Sequence, residues 1–151
     1  MITRSFWEYQ VEIDEVATTA WYRKGKSWEC ECDDCRNFLK VAKENKLPEQ
    51  VYSVLNELNI SAWQATYVCE IMPKDFGHLY QFSYRIAGQI LNEAIAKSTV
   101  NEWGEVRCCQ EVYPYGALGF SEPHFDLEFW VVLPWVLDEY QSQDCTDGRI
   151  L

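Results

Sequence analysis

Three cysteines, Cys30, Cys32 and Cys35, fall within six positions of the stretch Trp28-Glu-Cys-Glu-Cys-Asp-Asp-Cys-Arg-Asn-Phe38. In an extended chain, residues two apart point to the same side, so Cys30 and Cys32 can converge. Cys35, in the first turn of a helix that follows, lies close enough to join them. Three thiolates gathered in this way suit Zn²⁺, with a fourth ligand drawn from elsewhere in the fold. Cys69, Cys108, Cys109, His78 and His124 are the candidates for that position. Structural zinc sites usually combine two paired Cys/His elements, and only one such element stands out here. The same residues also suit a packed junction in which free cysteines serve as small apolar groups.

A redox role for Cys32-Asp33-Asp34-Cys35 is disfavoured by charge. A helix N-terminus lowers a thiol pKa, but it carries only about half a charge. Glu29, Glu31, Asp33 and Asp34 set up to four formal negative charges against it, which holds the thiols protonated. The same acids favour a bound cation, so metal ranks above redox.

His124, Asp126 and Glu128 alternate along one face of a predicted strand. His-x-Asp can open the two-His-one-carboxylate set of iron oxygenases, but no histidine follows His124, and the only other is His78. Period-two alternation already accounts for a polar strand face. The chain has no Gly-x-Ser-x-Gly elbow, phosphate-binding glycine loop or His-Glu-x-x-His helix, so no catalytic residue is assigned. Tyr113, Tyr115 and Phe120 share a loop with Gly116 and Gly119. They could anchor a partner, as aromatics do at interfaces, or plug the core.

The elements that must position these groups follow from periodicity. Trp7, Tyr9, Val11 and Ile13 alternate with Glu8, Gln10, Glu12 and Asp14, predicting a half-buried strand with an acidic outer face. Residues Ala17–Tyr22 predict a second strand, ending at a turn around Lys24-Gly25-Lys26. After the cysteines, Asp33 or Asp34 is the expected N-cap of a helix with an apolar stripe of Phe38, Leu39, Val41 and Ala42. Pro48 suits the first turn of a second helix, in which Val51, Val54, Leu55 and Leu58 share one face.

Alternation then resumes through Trp63, Ala65, Tyr67, Cys69 and Ile71, with Pro73 closing that strand. Tyr80, Phe82, Tyr84, Ile86 and Ile90 form a long strand face opposite Gln81, Ser83, Arg85 and Gln89, interrupted by Gly88, which suggests a bulge or a close approach. Val106, Cys108, Gln110 and Val112 suggest a further strand. Phe125 to Leu133 gives the last one, ended by Pro134-Trp135. The expected architecture is α+β: a mainly antiparallel sheet with a two-helix hairpin (about 33–46 and 48–58) packed on one face. It fills one domain, 1–140, followed by a loose polar tail, 141–151.

At 151 residues such a domain buries ~68–70% of its unfolded surface. The 24 acids against 13 bases, net −11, argue against binding nucleic acid or anionic membranes. They suit a basic protein partner met through Glu8 and Glu12 together with the loop aromatics, or simply a well-solvated surface. No export signal or span-length apolar run is present, which makes cytoplasmic residence and reduced thiols or a metal the expectation, not disulfides.

Cys30-x-Cys32-x-x-Cys35-x-Asn37-Phe38, Leu58-Asn59-Ile60, Leu127-Glu128-Phe129 and the ending Leu133-Pro134-Trp135-Val136-Leu137 resemble a group of small uncharacterised bacterial proteins found chiefly in Gram-positive lineages. The resemblance covers roughly residues 20–137. It implies a bacterial cytosolic domain, or one encoded by a phage or mobile element, and brings no activity, cofactor or catalytic residue with it. Two functions from different classes are therefore expected. One is a non-enzymatic acidic protein-binding module of immunity, inhibitor or counter-defence type. The other is a zinc-binding protein, hydrolase or sensor, centred on the three cysteines.

Overall fold

A computed structural model describes residues 1–25, 28–93, 95–110, 112 and 117–138. The fold is α+β, with seven strands in a mainly antiparallel sheet and three α-helices. No helix among the described residues is long and apolar enough to cross a membrane.

The N-terminal segment forms a hairpin of β1 (Ile2–Phe6) and β2 (Tyr9–Ile13). The alternation of Tyr9, Val11 and Ile13 holds, and all three are buried. Trp7 departs from the expected strand: at φ 54° it turns the chain between Phe6 and its partner Tyr9. Its ring is placed instead against Trp103 and the edge of Phe129.

Residues expected as a second strand are helix α1 (Glu15–Arg23). Threonines at positions 18 and 19 favour extended chain, but a stronger local signal competes. Asp14 caps the helix, its Oδ1 accepting from the Ala17 N–H at 3.0 Å, and Thr18, Trp21 and Tyr22 then fall on one buried face. The Tyr22 hydroxyl donates to the Arg85 carbonyl at 2.7 Å, and the Ala87 N–H donates to Thr18 Oγ1 at 3.1 Å. These bonds seat α1 against the sheet.

Helices α2 (Asp33–Lys43) and α3 (Glu49–Glu57) occupy the predicted stretches but end earlier. The Tyr52 hydroxyl of α3 donates to the Ala42 carbonyl and accepts from the Leu47 N–H, tying it to the end of α2 and the following loop. Trp63 belongs to a 3-10 turn, Ala62–Gln64, and not to a strand. β3 (Tyr67–Lys74) runs through Pro73. A proline is tolerated there because β3 pairs with one neighbour only, so no second ladder needs the missing N–H.

β4 (Gly77–Ile90) is the axis of the sheet. Its first half pairs with β3, its end pairs with β2, and most of its length pairs with β7 (His124–Leu133). β6 (Gly104–Cys109) lies on the far side of β7, and an unanticipated β5 (Thr99–Asn101) closes that edge. Tyr80, Phe82, Tyr84 and Ile86 face the same way as their cross-strand partners Val131, Phe129, Leu127 and Phe125. Phe38 of α2 lies on Phe82 at 4.9 Å between ring centroids, and the Tyr84 hydroxyl donates to the Ala62 carbonyl, so this face is the core under the helical layer.

The interruption at Gly88 is a close approach. Its φ is 145°, and a Cβ there would collide with the Glu12 carbonyl oxygen of β2. The expected tail, 141–151, lies outside the described residues. Gly88→Ala should cost about 2–4 kcal/mol, from backbone strain plus displacement of β2. Gly25→Ala, at φ 73° with open space around it, should cost only about 1 kcal/mol. Urea midpoints of the two variants check the contrast.

Candidate metal centre

The N-cap of α2 is Cys32, not either aspartate. Its backbone is extended, and its Sγ accepts from the Cys35 N–H at 3.5 Å. Asp33 and Asp34 are displaced into the first turn, where they are 2% and 7% exposed. Asp33 is paired with Arg36 at 2.8 Å. The cap explains the geometry of the sulfurs. Cys32 stands at the helix entrance, Cys35 one turn inside it, and Cys30 arrives from the extended segment that Trp28 anchors through its N–H to the Ala65 carbonyl.

The three Sγ atoms lie within 4.8 Å of one another, and all three residues are buried. Tetrahedral zinc with Zn–S of about 2.3 Å needs sulfurs roughly 3.8 Å apart, so the group is near that spacing. Cys30 and Cys35 carry no disulfide, whereas Cys32 is disulfide-bonded, contrary to the expectation of reduced thiols throughout. A thiolate site therefore requires Cys32 in its reduced form.

Burial pushes the Cys35 thiol well above its ordinary pKa, and the neighbouring Cys30 and then Asp34 add to the effect. The order matters. The expectation that carboxylates dominate is replaced by desolvation, because Glu29 and Glu31 point to solvent. The indole of Trp28 pulls the other way, towards the thiolate. Its Nε1–H is buried, close enough to Cys35 to act on the sulfur but without an acceptor in good hydrogen-bonding geometry.

The candidate fourth ligands separate by position. Cys69 on β3 shares the corner: burial raises its pKa first, and Glu70 and Asp34 add to this. It does not lie within 4.8 Å of all three sulfurs. Cys108 and Cys109 are on β6, across β4 and β7 from β3. His124 and His78 sit at opposite ends of the β4–β7 ladder, so no two-histidine set forms. His78 instead meets Glu70, with Nδ1 and Oε2 2.8 Å apart.

Asp126 and Glu128 are not on a solvent face; each is 1% exposed. Asp126 accepts from Arg85 Nε at 3.0 Å, and Glu128 accepts from Arg107 Nε at 2.8 Å and from Trp130 Nε1 at 2.6 Å. The partner-surface candidates are also dispersed. Glu8 is exposed in the hairpin turn, and Glu12 is half-buried and accepts from Gln89. Phe120 is a core plug, 5% exposed and packed on Trp21 and Tyr22. Tyr113 and Tyr115 lie outside the described residues.

Two contributors escaped sequence reasoning. Trp28 reads as an ordinary core aromatic. Asn37 is fully buried; its Nδ2 donates to the Pro134 carbonyl at 3.0 Å, and its Oδ1 accepts from the Val136 N–H at 2.7 Å. The only sequence signal for it is an amide on the apolar face of an amphipathic helix. No protein-family model, curated protein or solved structure matches the chain.

Buried thiols and phenols elsewhere set an alkaline limit. Burial raises Cys108, and it raises Cys109 to about 12 with help from Glu128. Tyr22 and Tyr84 are raised well above their usual value, again mainly by burial. In the unfolded chain these groups ionise from about pH 8.5 for Cys and about 10 for Tyr. Above those values the unfolded state holds fewer protons than the native one, so stability falls as pH rises. Urea midpoints should therefore decline steadily from about pH 8.5 upward.

Proposed function

We propose that the protein is a metal-binding module whose cysteine corner takes a zinc-class ion. The observation that carries this reading is the convergence of three buried sulfurs within 4.8 Å, with the buried Trp28 indole N–H beside Cys35. Thiolate donors select zinc over hard cations. A metal-bound Cys35 thiolate would give the buried indole N–H a charged acceptor in place of a neutral thiol. Cys69 on β3, which senses the Asp34 charge, is the thiol candidate for the fourth position. At 2–4% exposure the three cysteines offer a substrate no approach, which suits a structural or sensing role better than hydrolysis. On this reading α2 and α3 act as one hairpin, fastened to the sheet at the end where the sulfurs lie.

Protein purified in reductant without chelator should carry about one zinc per chain, the stoichiometry of a closed thiolate site. Cys35→Ser should abolish this, Trp28→Phe should weaken it roughly tenfold, and oxidised protein should hold no metal. Cobalt substitution should add a sulfur-to-metal charge-transfer band. Sub-stoichiometric zinc and iron, with freely titrating thiols at all three positions, would overturn the proposal.

The second reading is an acidic protein-binding module of immunity, inhibitor or counter-defence type in a bacterial cytosol. It is favoured by the net charge of −11 and by Phe76, 93% exposed at the turn between β3 and β4. A pull-down at low ionic strength should recover a basic partner that salt releases. Recovery of no partner under those conditions counts against it.

A further inference from the structure

A donor set of different chemistry begins one residue from the sulfurs. Asp34 of α2, Glu70 of β3 and His78 of β4 each bring one donor atom within 4.8 Å of the other two. Each is placed by a separate device. The Tyr80 hydroxyl donates to the Asp34 carbonyl at 2.6 Å, which fixes the first turn of α2 over the sheet. The β3–β4 register shifts between Glu70 and Met72, next to the point where Glu70 faces Tyr80. His78 is opposite Pro73 in the same hairpin, and the shift leaves its imidazole against the Glu70 carboxylate at 2.8 Å. Trp135, just beyond β7, lies tilted against the ring, with centroids 5.0 Å apart.

The three groups keep little, and unequal, access to solvent. Asp34 is 7% exposed, while the Glu70 and His78 side chains keep 13% and 18%. Two carboxylates this close repel each other in a poorly solvated place, and a protonated imidazole can offset only one of them. A divalent ion offsets both and takes the neutral imidazole as its nitrogen ligand. Two oxygens and one nitrogen suit manganese, cobalt or zinc, and the partial exposure leaves coordination positions for water.

We propose that Asp34, Glu70 and His78 form a divalent-cation site separate from the cysteines, with a harder donor set and partial access to solvent. It does not depend on zinc at the sulfurs. Mn²⁺ is the probe, because thiolates discriminate against it. Reduced, chelator-stripped full-length protein should bind Mn²⁺ saturably, read as loss of the free-ion electron paramagnetic resonance signal. Glu70→Gln and His78→Ala should each weaken binding roughly tenfold or more, whereas Cys35→Ser should leave it unchanged. Glu70→Gln preserves side-chain shape, so it still reports if His78→Ala loosens the hairpin.

Absence of saturable Mn²⁺ binding would overturn the site and leave the Glu70–His78 contact as an ion pair only. So would binding untouched by Glu70→Gln, or lost in Cys35→Ser alone. Loss of zinc with retention of Mn²⁺ would remove the cysteine reading and leave this one standing.

Discussion

Strand β4 is buried on both faces from Tyr80 to Gly88, and much of the structure answers to that constraint. One face is apolar and meets the helical layer. The other carries Gln81, Ser83 and Arg85, all at or below 4% exposure. A guanidinium removed from water costs several kcal/mol unless a charge and hydrogen bonds replace the lost hydration. Asp126 sits directly across the ladder from Arg85 and supplies both, at 3.0 Å. One strand further on, Glu128 answers Arg107 in the same way. The charged layer is thus internally matched, carboxylate to guanidinium, by the register of β4, β7 and β6. Such pairs add little net stability, but they penalise any register that separates them.

The same strand organises the corner where the donor atoms gather. Tyr80 reaches from β4 to the first turn of α2, and Asn37 reaches from α2 to the chain leaving β7. Between them these bonds hold the N-terminus of α2 over the end of the sheet. The helix dipole there supports negative charge, which suits Asp33 and Asp34 in the first turn. Because burial outweighs that dipole at Cys35, the thiol stays protonated without a cation. The corner is therefore charge-poor in its sulfur half and charge-rich in its oxygen half.

The parts of this arrangement that depend on local period were legible in the sequence. Phe82, Tyr84, Leu127 and Phe129 announce their strands because alternate residues must share a face, and Val51, Val54 and Leu55 announce α3 for the helical equivalent. Cys30, Cys32 and Cys35 were found because three donors so close in sequence can hardly avoid meeting. What was not legible depends on neighbours that period cannot reveal. Ala17–Tyr22 has strand-like composition, and only the capping by Asp14 and burial against β4 make it helical. Asp126 and Glu128 look like a solvent face because alternation shows which residues lie together, not whether water lies beyond them. Asp34, Glu70 and His78 are joined only by a register shift and a helix placement, and neither leaves a mark at a fixed spacing.

The two donor sets are not redundant, because what separates them is softness and access. The sulfurs are buried beside Trp28 and the first turn of α2, so an ion held among them would exchange slowly and would act by holding the chain together. The oxygen–nitrogen set borders solvent and keeps positions that water or a ligand can take. The peptide bond between Asp34 and Cys35 joins them, so a shift of the helix N-terminus moves a donor in each set. The Tyr80 hydroxyl holds the Asp34 carbonyl at 2.6 Å, however, so the placement of Asp34 rests on β4 and not on an ion at the sulfurs.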